Sequence, residues 1–213
     1  CTLLNLFVTS THMFTSIVQG KAVVRSLEKK ASFMHLTVER PPEHCDNLQL
    51  GASIALNGAC LTVTAFNKNR VSFDLIMETL RVTNLSLLRE GDVVNFERAA
   101  KFGDEIGGHL LSGHIHQTVT ISHIDKPENN WILWFNITPE WKRYIFSKGF
   151  VALNGCSLTI GEIKDDTFNV FLIPETLSIT TFGNLDAGSL VNMEIDAHTQ
   201  AIVDSVEQYL SNR

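Results

Sequence analysis

Two short stretches of the chain carry side chains that could bind a polar ligand, and they are near copies of each other. The two sequences are NGACLTV at 57–63 and NGCSLTI at 154–160. Alternation along a strand places Cys60 and Thr62 on one face, and likewise Ser157 and Thr159. A thiol or hydroxyl beside a threonine hydroxyl suits a ligand with many hydroxyl and carbonyl groups. Turn chemistry combined with strand propensity is the alternative explanation for one copy, but its occurrence in both copies favours binding.

Three histidines, His109, His114 and His116, lie in the segment GGHLLSGHIH. His114 and His116 share a strand face, as zinc ligands sometimes do, but no cysteine or carboxylate lies at ligand spacing nearby. We therefore expect no metal site. A histidine that acts as a general base or as a hydrogen-bond partner of a substrate is the favoured interpretation, and a solvent-facing strand histidine is the alternative. The sequence contains neither a dinucleotide-binding glycine motif nor a P-loop, so no cofactor is expected.

The spacing of 97 residues between the two stretches recurs elsewhere in the chain. METLRVTNL at 77–85 is answered by PETLSITTF at 174–182, and Asn95 and Glu97 recur as Asn192 and Glu194. A repeat of this length predicts two similar domains and two similar pockets. Glu78 and Glu175 supply acceptors for ligand hydroxyls in this interpretation, and otherwise lie on the surface.

Period-2 alternation and short turn signals predict several antiparallel strands in each repeat. Closure removes exposed edges, so the predicted fold is all-β, with two tandem six-stranded Greek-key barrels and a C-terminal α-helix. The apolar face of that helix either packs on its own barrel or joins subunits; its residues are Ile202, Val203, Val206, Tyr209 and Leu210. The predicted parts are an extension at 1–12, expected to be disordered or non-native, barrels at 13–109 and 110–197, and a helix at 198–213.

The bulk composition excludes some partners. Lys and Arg number 17 against 23 Asp and Glu, a net charge of −6, and the chain has no basic cluster. A nucleic-acid or anionic-membrane partner is therefore not expected. The four cysteines form neither a disulfide framework nor a zinc motif, which favours a reducing, cytoplasmic compartment.

Longer motifs identify the chain as similar to one family. MFTSIVQG at 13–20, FDLIMETLR at 73–81, ERAAKFGDEIGGHLLSGHI at 97–115, KGFVALNGCSLT at 148–159, LIPETL at 172–177 and VNMEID at 191–196 resemble riboflavin synthases of the alpha-chain type. The resemblance implies a homotrimer joined by the C-terminal helix. It also implies dismutation of two 6,7-dimethyl-8-ribityllumazine molecules by four-carbon transfer, without metal or cofactor, at a site between the N-terminal barrel of one subunit and the C-terminal barrel of its neighbour.

The resemblance also implies site residues. The catalytic candidates are Cys60, His114, Ser157, Thr159 and Asp196. The first lumazine site would be lined by Ser16, Ile17, Val18, Cys60, Leu61, Thr62, Asp74, Leu75, Ile76, Met77, Glu78, Thr79, Gly113, His114 and Ile115. The second would be lined by Lys148, Ser157, Leu158, Thr159, Phe171, Leu172, Ile173, Pro174, Glu175 and Thr176. Phe14 would lie at the interface.

This chain departs from the family pattern at several positions. Ser16 replaces a glycine, which would crowd a close backbone approach if φ there is positive. Asn154 replaces an aspartate, and the second site would be weakened if that carboxylate binds ligand. A lumazine- or flavin-binding optical antenna of the same fold, without catalysis, is the alternative function. Retention of Cys60, His114, Ser157 and Asp196 favours the enzyme.

Overall fold

The computed structural model describes residues 13–40, 46–128 and 130–212; the expected extension at 1–12 lies outside them. The described residues form two closed barrels, each of six antiparallel strands, followed by a long helix. The strand order is β1-β2-β5-β4-β3-β6 in the first barrel and, equivalently, β7-β8-β11-β10-β9-β12 in the second. The predicted pair of tandem Greek-key barrels is confirmed.

The elements follow the same order in both repeats. The first barrel consists of β1 (Gly20–Lys29), β2 (Phe33–Glu39), β3 (Ser53–Leu56), β4 (Ala59–Phe66), β5 (Arg70–Ile76) and β6 (Val93–Arg98), with the short helix α1 (Met77–Val82). The second consists of β7 (Gln117–Asp125), β8 (Trp131–Asn136), β9 (Phe150–Leu153), β10 (Cys156–Lys164), β11 (Thr167–Leu172) and β12 (Leu190–Ile195), with α2 (Pro139–Lys142) and α3 (Pro174–Ile179). The final helix is α4 (Ala197–Ser211).

Strand alternation decides which side chains remain available for a ligand. On β4, Leu61 and Val63 point into the first barrel and are buried, while Thr62 is exposed on its outer surface. On β10, Leu158 is buried and Thr159 is exposed in the same way. Since apolar side chains fill both barrels, a ligand must bind on the outside.

The two Asn-Gly turns form the contact between the barrels. Gly58 and Gly155 both have positive φ, and a Cβ built on Gly58 would lie 2.6 Å from the backbone nitrogen of Gly155. Only glycine fits such an approach. Asn57 and Asn154 are buried beside them, also with positive φ. Each Asn-Gly turn therefore packs against its copy in the other barrel.

Four hydrogen bonds complete this contact with two-fold symmetry. Asn95 N donates to Asn57 Oδ1 (2.8 Å), and Asn192 N donates to Asn154 Oδ1 (2.9 Å). The side chains cross between barrels: Asn95 Nδ2 donates to Asn154 O, and Asn192 Nδ2 donates to Asn57 O, both at 2.9 Å. Asn154 thus acts in barrel packing.

Two segments that precede the barrels cross from one barrel to the other. We call residues 14–18 the first crossing segment and 111–115 the second. They pair antiparallel at Phe14 and Leu111, whose backbone N···O distances are 2.9 and 3.1 Å. Val18 then packs in the core of the second barrel, and Ile115 packs against the core of the first. Each barrel is therefore completed by the segment that leads into the other.

The helix α4 packs on the second barrel by one side only. Val203 contacts the barrel core, Tyr144 Oη donates to Asp204 Oδ1 (2.5 Å), and Arg143 pairs with Glu207 (2.8 Å). An apolar stripe beside this packed side is exposed: Ile202, Val206, Tyr209 and Leu210. The helix therefore packs on its own barrel, and the exposed stripe leaves a contact between subunits as a prediction. None of the helices in the described ranges is long and apolar enough to cross a membrane.

Candidate functional site

The first group of candidate side chains lies on the outer face of β4 and β5. Cys60 is half-buried, and Thr62, Asp74 and Ile76 are exposed around it. Asp74 Oδ1 lies 2.7 Å from His35 Nδ1 on the neighbouring strand β2. Burial raises the pKa of the Cys60 thiol, against a hydrogen bond with Ser53 that lowers it. Cys60 is therefore a neutral thiol at neutral pH rather than an activated thiolate.

The second crossing segment covers this group. Cys60 N donates to Gly113 O (2.9 Å), and Gly113 has a φ of 79°. His114 follows with an exposed side chain. The structure therefore places Gly113 against Cys60, with His114 as the next residue.

The second group lies on β10 and β11. Ser157 is half-buried, and Thr159, Phe171 and Ile173 are exposed near it. Ser157 N donates to Ser16 O (3.1 Å). We expected the segment 16–18 at the first site, but the structure places it beside Ser157, because the crossing segments exchange barrels.

Ser16 and His109 both contact Ser157 and complete the second group of candidate side chains. Ser16 adopts a φ of 63°, in the left-handed region that favours glycine, and its hydroxyl donates to the carbonyl oxygen of His109. His109 Nδ1 lies 2.7 Å from Ser157 Oγ, and its ring stacks on Phe150. Burial lowers the pKa of His109, against the nearby Asp196 carboxylate, so the imidazole is neutral and can accept a proton.

Asp196 interacts with this group through the electrostatic attraction between its carboxylate and His109. Its Oδ2 accepts from Thr199 N and Thr199 Oγ1, both at 2.8 Å, and so caps α4. Burial by itself would raise the pKa of Asp196, but the bonds from Thr199 outweigh it and lower that pKa. An ionised Asp196 near His109 stabilises the imidazolium that forms if His109 takes a proton.

Several predicted site residues cannot offer a side chain to a ligand on the outer surface. Four point into the barrel cores, so only their backbone atoms are available: Leu61, Leu75, Leu158 and Leu172. Phe14 was expected at the interface; its side chain is buried inside the chain, in a cluster with Ala55, Leu111 and Ala152.

The remaining predicted residues lie at the edges of the two groups. On α1, Glu78 pairs with Arg81 at 2.6 Å, while Met77 is exposed and Thr79 half-buried. On α3, Pro174 and Glu175 begin the helix, and Thr176 O accepts from Thr180 Oγ1. Ile17 and Lys148 are exposed.

Two buried carboxylates hold the crossing segments. Glu97 on β6 accepts from Thr15 N (2.6 Å) and Thr15 Oγ1 (2.9 Å). Glu194 on β12 accepts from Ser112 N (2.9 Å) and Ser112 Oγ (2.8 Å). Burial raises the pKa of Glu97 to about 7, against the opposing bonds from Thr15, and it raises the pKa of Glu194 in the same direction. Burial of each carboxyl group therefore costs free energy, and its hydrogen bonds to a crossing segment offset part of that cost.

Glu97→Gln is expected to change how stability depends on pH. The ordinary pKa of 4.5 in the unfolded chain rises to about 7 on folding, so the native state retains a proton that the unfolded state loses. The contribution of Glu97 is full below pH 4.5 and is lost as the pH rises through 7. Relative to the variant, the wild type should lose on the order of 3 kcal/mol of unfolding free energy over this window. Urea unfolding at several pH values checks it; parallel curves for the two proteins would contradict it.

The resemblance did not assign His109, Glu97 or Glu194 to the sites, although His109 lies in the segment in which we expected a general base or a hydrogen-bond partner of the substrate. A usable signal existed for the two glutamates, because they recur at the repeat offset within otherwise apolar strands. For His109 the signal was its place in the histidine-rich segment GGHLLSGHIH. Within the described residues, no group of three or more His, Cys, Asp or Glu side chains could hold a metal ion. His116 instead packs on Trp141 and lies 3.2 Å from Gln200 Oε1 on α4.

Comparison with known proteins identifies both barrels. The family model described as Lumazine binding domain matches residues 15–99 and again residues 112–196. Solved structures of LumP are similar: the complex with 6,7-dimethyl-8-(1'-D-ribityl) lumazine has a TM-score of 0.77 at 26% identity, and the riboflavin complex has 0.80 at 27%. Both comparisons cover 85% of this chain and 98% of LumP. The fold and sites thus define a protein of two tandem lumazine-binding domains.

Curated relatives narrow the class. Riboflavin synthase of Escherichia coli (strain K12) is 53% identical over 94% of this chain and 95% of its own length. Those of Chlamydia pneumoniae and Bacillus subtilis (strain 168) are 42% and 38% identical over 94% and 86% of this chain, and over 98% and 85% of their own. The chain belongs to the riboflavin synthase family.

Proposed function

We propose that this protein is a transferase that converts two molecules of 6,7-dimethyl-8-ribityllumazine into riboflavin and 5-amino-6-(D-ribitylamino)uracil. One lumazine donates a four-carbon unit and the other accepts it. The observation that carries the proposal is the pair of polar groups, around Cys60 and around Ser157, at equivalent places on two barrels that each match a lumazine-binding domain. A reaction between two copies of one molecule needs two related pockets.

The proposed roles follow from the chemistry of the two sites. One lumazine needs a base for the acidic methyl group at C7, and the other needs a nucleophile or activated water at C7. His114 and Cys60 serve one site. Ser157, with His109 at 2.7 Å and Asp196 beyond it, serves the other, and Thr159 lies on the same face. A neutral His109 can take the proton of the Ser157 hydroxyl or of a water bound to it.

We propose that the two reacting lumazines meet between subunits of a homotrimer. Within one chain the crossing segments run in opposite directions from the Phe14–Leu111 bridge, one to Ser157 and the other to Cys60. The buried cluster around Phe14 lies between the two groups. A neighbouring subunit can instead bring its Ser157 group opposite the Cys60 group and remove most of the entropy cost of the bimolecular reaction. The exposed stripe of α4 provides an apolar surface for such an assembly.

We place this reaction in the cytoplasm. Cys60 and Cys156 are both free thiols in the structure, and free thiols are typical of a reducing compartment.

The test of the proposed function is incubation with 6,7-dimethyl-8-ribityllumazine. Riboflavin fluorescence should appear, with one riboflavin formed for every two lumazines consumed. A chelator should not change the rate, since we expect no metal; loss of activity that zinc restores would revive the histidine metal site. Tight binding of lumazine without conversion would instead identify an antenna protein of the LumP kind.

Cys60→Ser is expected to retain binding of lumazine or riboflavin while turnover falls by roughly tenfold or more, because a hydroxyl preserves hydrogen bonding but not thiol reactivity. Ligand affinity from fluorescence titration and kcat from riboflavin formation check the two halves separately. Thr64→Ser on the same strand, outside both proposed groups, is the matched control. Unchanged turnover in Cys60→Ser would show that Cys60 only packs against or binds the ligand.

A further inference from the structure

We propose that Glu194 is a positioning residue that holds the turn Ser112–His114 against Cys60 and so shapes the lumazine pocket of the first barrel from within the second. Glu97 does the same for the first crossing segment at Ser157. The inference rests on the proposed function only in identifying these groups as lumazine pockets; the contacts themselves do not depend on it.

The contacts of Glu194 are directed at the turn. Its Oε1 accepts from Ser112 N (2.9 Å), Ser112 Oγ (2.8 Å) and Gly113 N (3.2 Å), and its Oε2 also accepts from Gly113 N (3.1 Å). Its side chain is buried, and the ionisable groups that face it are Cys60 and His114. Both carboxylate oxygens are thus engaged by one turn, which is more than barrel packing at this position requires.

The turn has little freedom once it is held there. A Cβ on Gly113 would lie 2.6 Å from Cys60 Cβ and 2.9 Å from Cys60 N. The backbone of the turn therefore rests directly on the residue that we assign to the first lumazine site. A small outward shift of the turn would uncover Cys60 and move His114, which is the next residue.

The arrangement couples the two barrels. Glu194 lies on β12, in the second barrel, whereas Cys60 lies on β4, in the first. Glu97 on β6 of the first barrel holds Thr15, and the next residue, Ser16, contacts Ser157 on the second. Each pocket thus depends on a carboxylate from the opposite barrel.

Alkylation of Cys60 by iodoacetamide tests the positioning without any turnover. The rate at Cys60, followed by peptide mass spectrometry across a pH series, gives the thiol pKa and the limiting rate of the thiolate. Glu194→Gln leaves Gly113 N one acceptor oxygen instead of two and replaces the charged acceptor of the turn by a neutral one. The turn should therefore loosen, and the limiting rate should rise roughly tenfold. Lumazine affinity should fall by a similar factor. Removal of the Glu194 charge lowers the thiol pKa, and this by itself makes the thiolate a weaker nucleophile. A rise in the limiting rate therefore reports greater access to Cys60.

Three further variants make the test specific. Ser112→Ala removes one bond to Glu194 and leaves its charge, so the limiting rate should rise by a few-fold with the Cys60 pKa unchanged. Glu97→Gln and Thr15→Ala make the equivalent changes on the other segment and should leave alkylation of Cys60 as in the wild type. Buried Cys156, whose pKa burial raises to about 12, is an internal monitor of global unfolding.

An unchanged limiting rate in folded Glu194→Gln or, should that variant not fold, in Ser112→Ala would overturn the proposal. Equal increases in all four variants would also overturn it, because they would indicate general loosening. The variants could show the expected alkylation rates although the wild type forms no riboflavin. That result would support the positioning role of Glu194 and contradict the proposed function.

Discussion

The double variant Ile202→Asp/Val206→Asp is expected to be a folded monomer with little activity. Both side chains lie on the exposed stripe of α4, with 65% and 52% of their surface accessible. In a single chain the two carboxylates are solvated and lower the free energy of unfolding only slightly. In an assembly that buries the stripe, each would be an unpaired buried charge that costs several kcal/mol. Turnover should fall by about 100-fold or more, since each half-site would lose its partner.

Light scattering and a riboflavin assay on the same sample decide the outcome. Ser205→Asp, on an exposed position of the same helix, adds one charge outside the stripe and is the control. The point variants are preferable to deletion of residues 200–213, because deletion also removes Asp204 and Glu207, which bind the second barrel through Tyr144 and Arg143. A monomeric variant with full activity would mean that both pockets of one active site belong to a single chain.

Gly58→Ala is expected to lower the free energy of unfolding by far more than a methyl group added at an open turn. The new Cβ would lie 2.6 Å from Gly155 N and 2.9 Å from Gly155 Cα, both backbone atoms that cannot move aside. Overpacking at the barrel contact should cost about 1–3 kcal/mol, and the unfavourable backbone angle adds about 1 kcal/mol or more.

Gly51→Ala separates these two contributions. Gly51 has the same φ of 81°, but a Cβ there would meet nothing within 4 Å. The control should therefore show only the backbone cost, and urea unfolding of the two variants gives the value of the barrel contact by difference. Equal losses in both would mean that the barrels are not held in this close approach.

Sequence by itself determined the repeat, and through it most of the architecture. The offset of 97 residues, the period-2 alternation and the turn signals together predicted two barrels of equal topology, as observed. Alternation also predicted that Cys60 and Thr62 share one face of their strand, and likewise Ser157 and Thr159. These are local properties: residues two apart on one strand are neighbours whatever the rest of the chain does.

Only the tertiary structure decided which polar groups meet. Asn57 and Asn154 occupy equivalent positions next to the candidate sites in sequence, yet they hold the barrels together. Ser157 meets His109 and Ser16, which lie 48 and 141 positions earlier in the chain. A repeat identifies positions that are alike, but it does not say which of them touch. That depends on how two closed barrels pack and on where the crossing segments pass, and both are consequences of contacts between residues far apart in the chain, which no periodicity records.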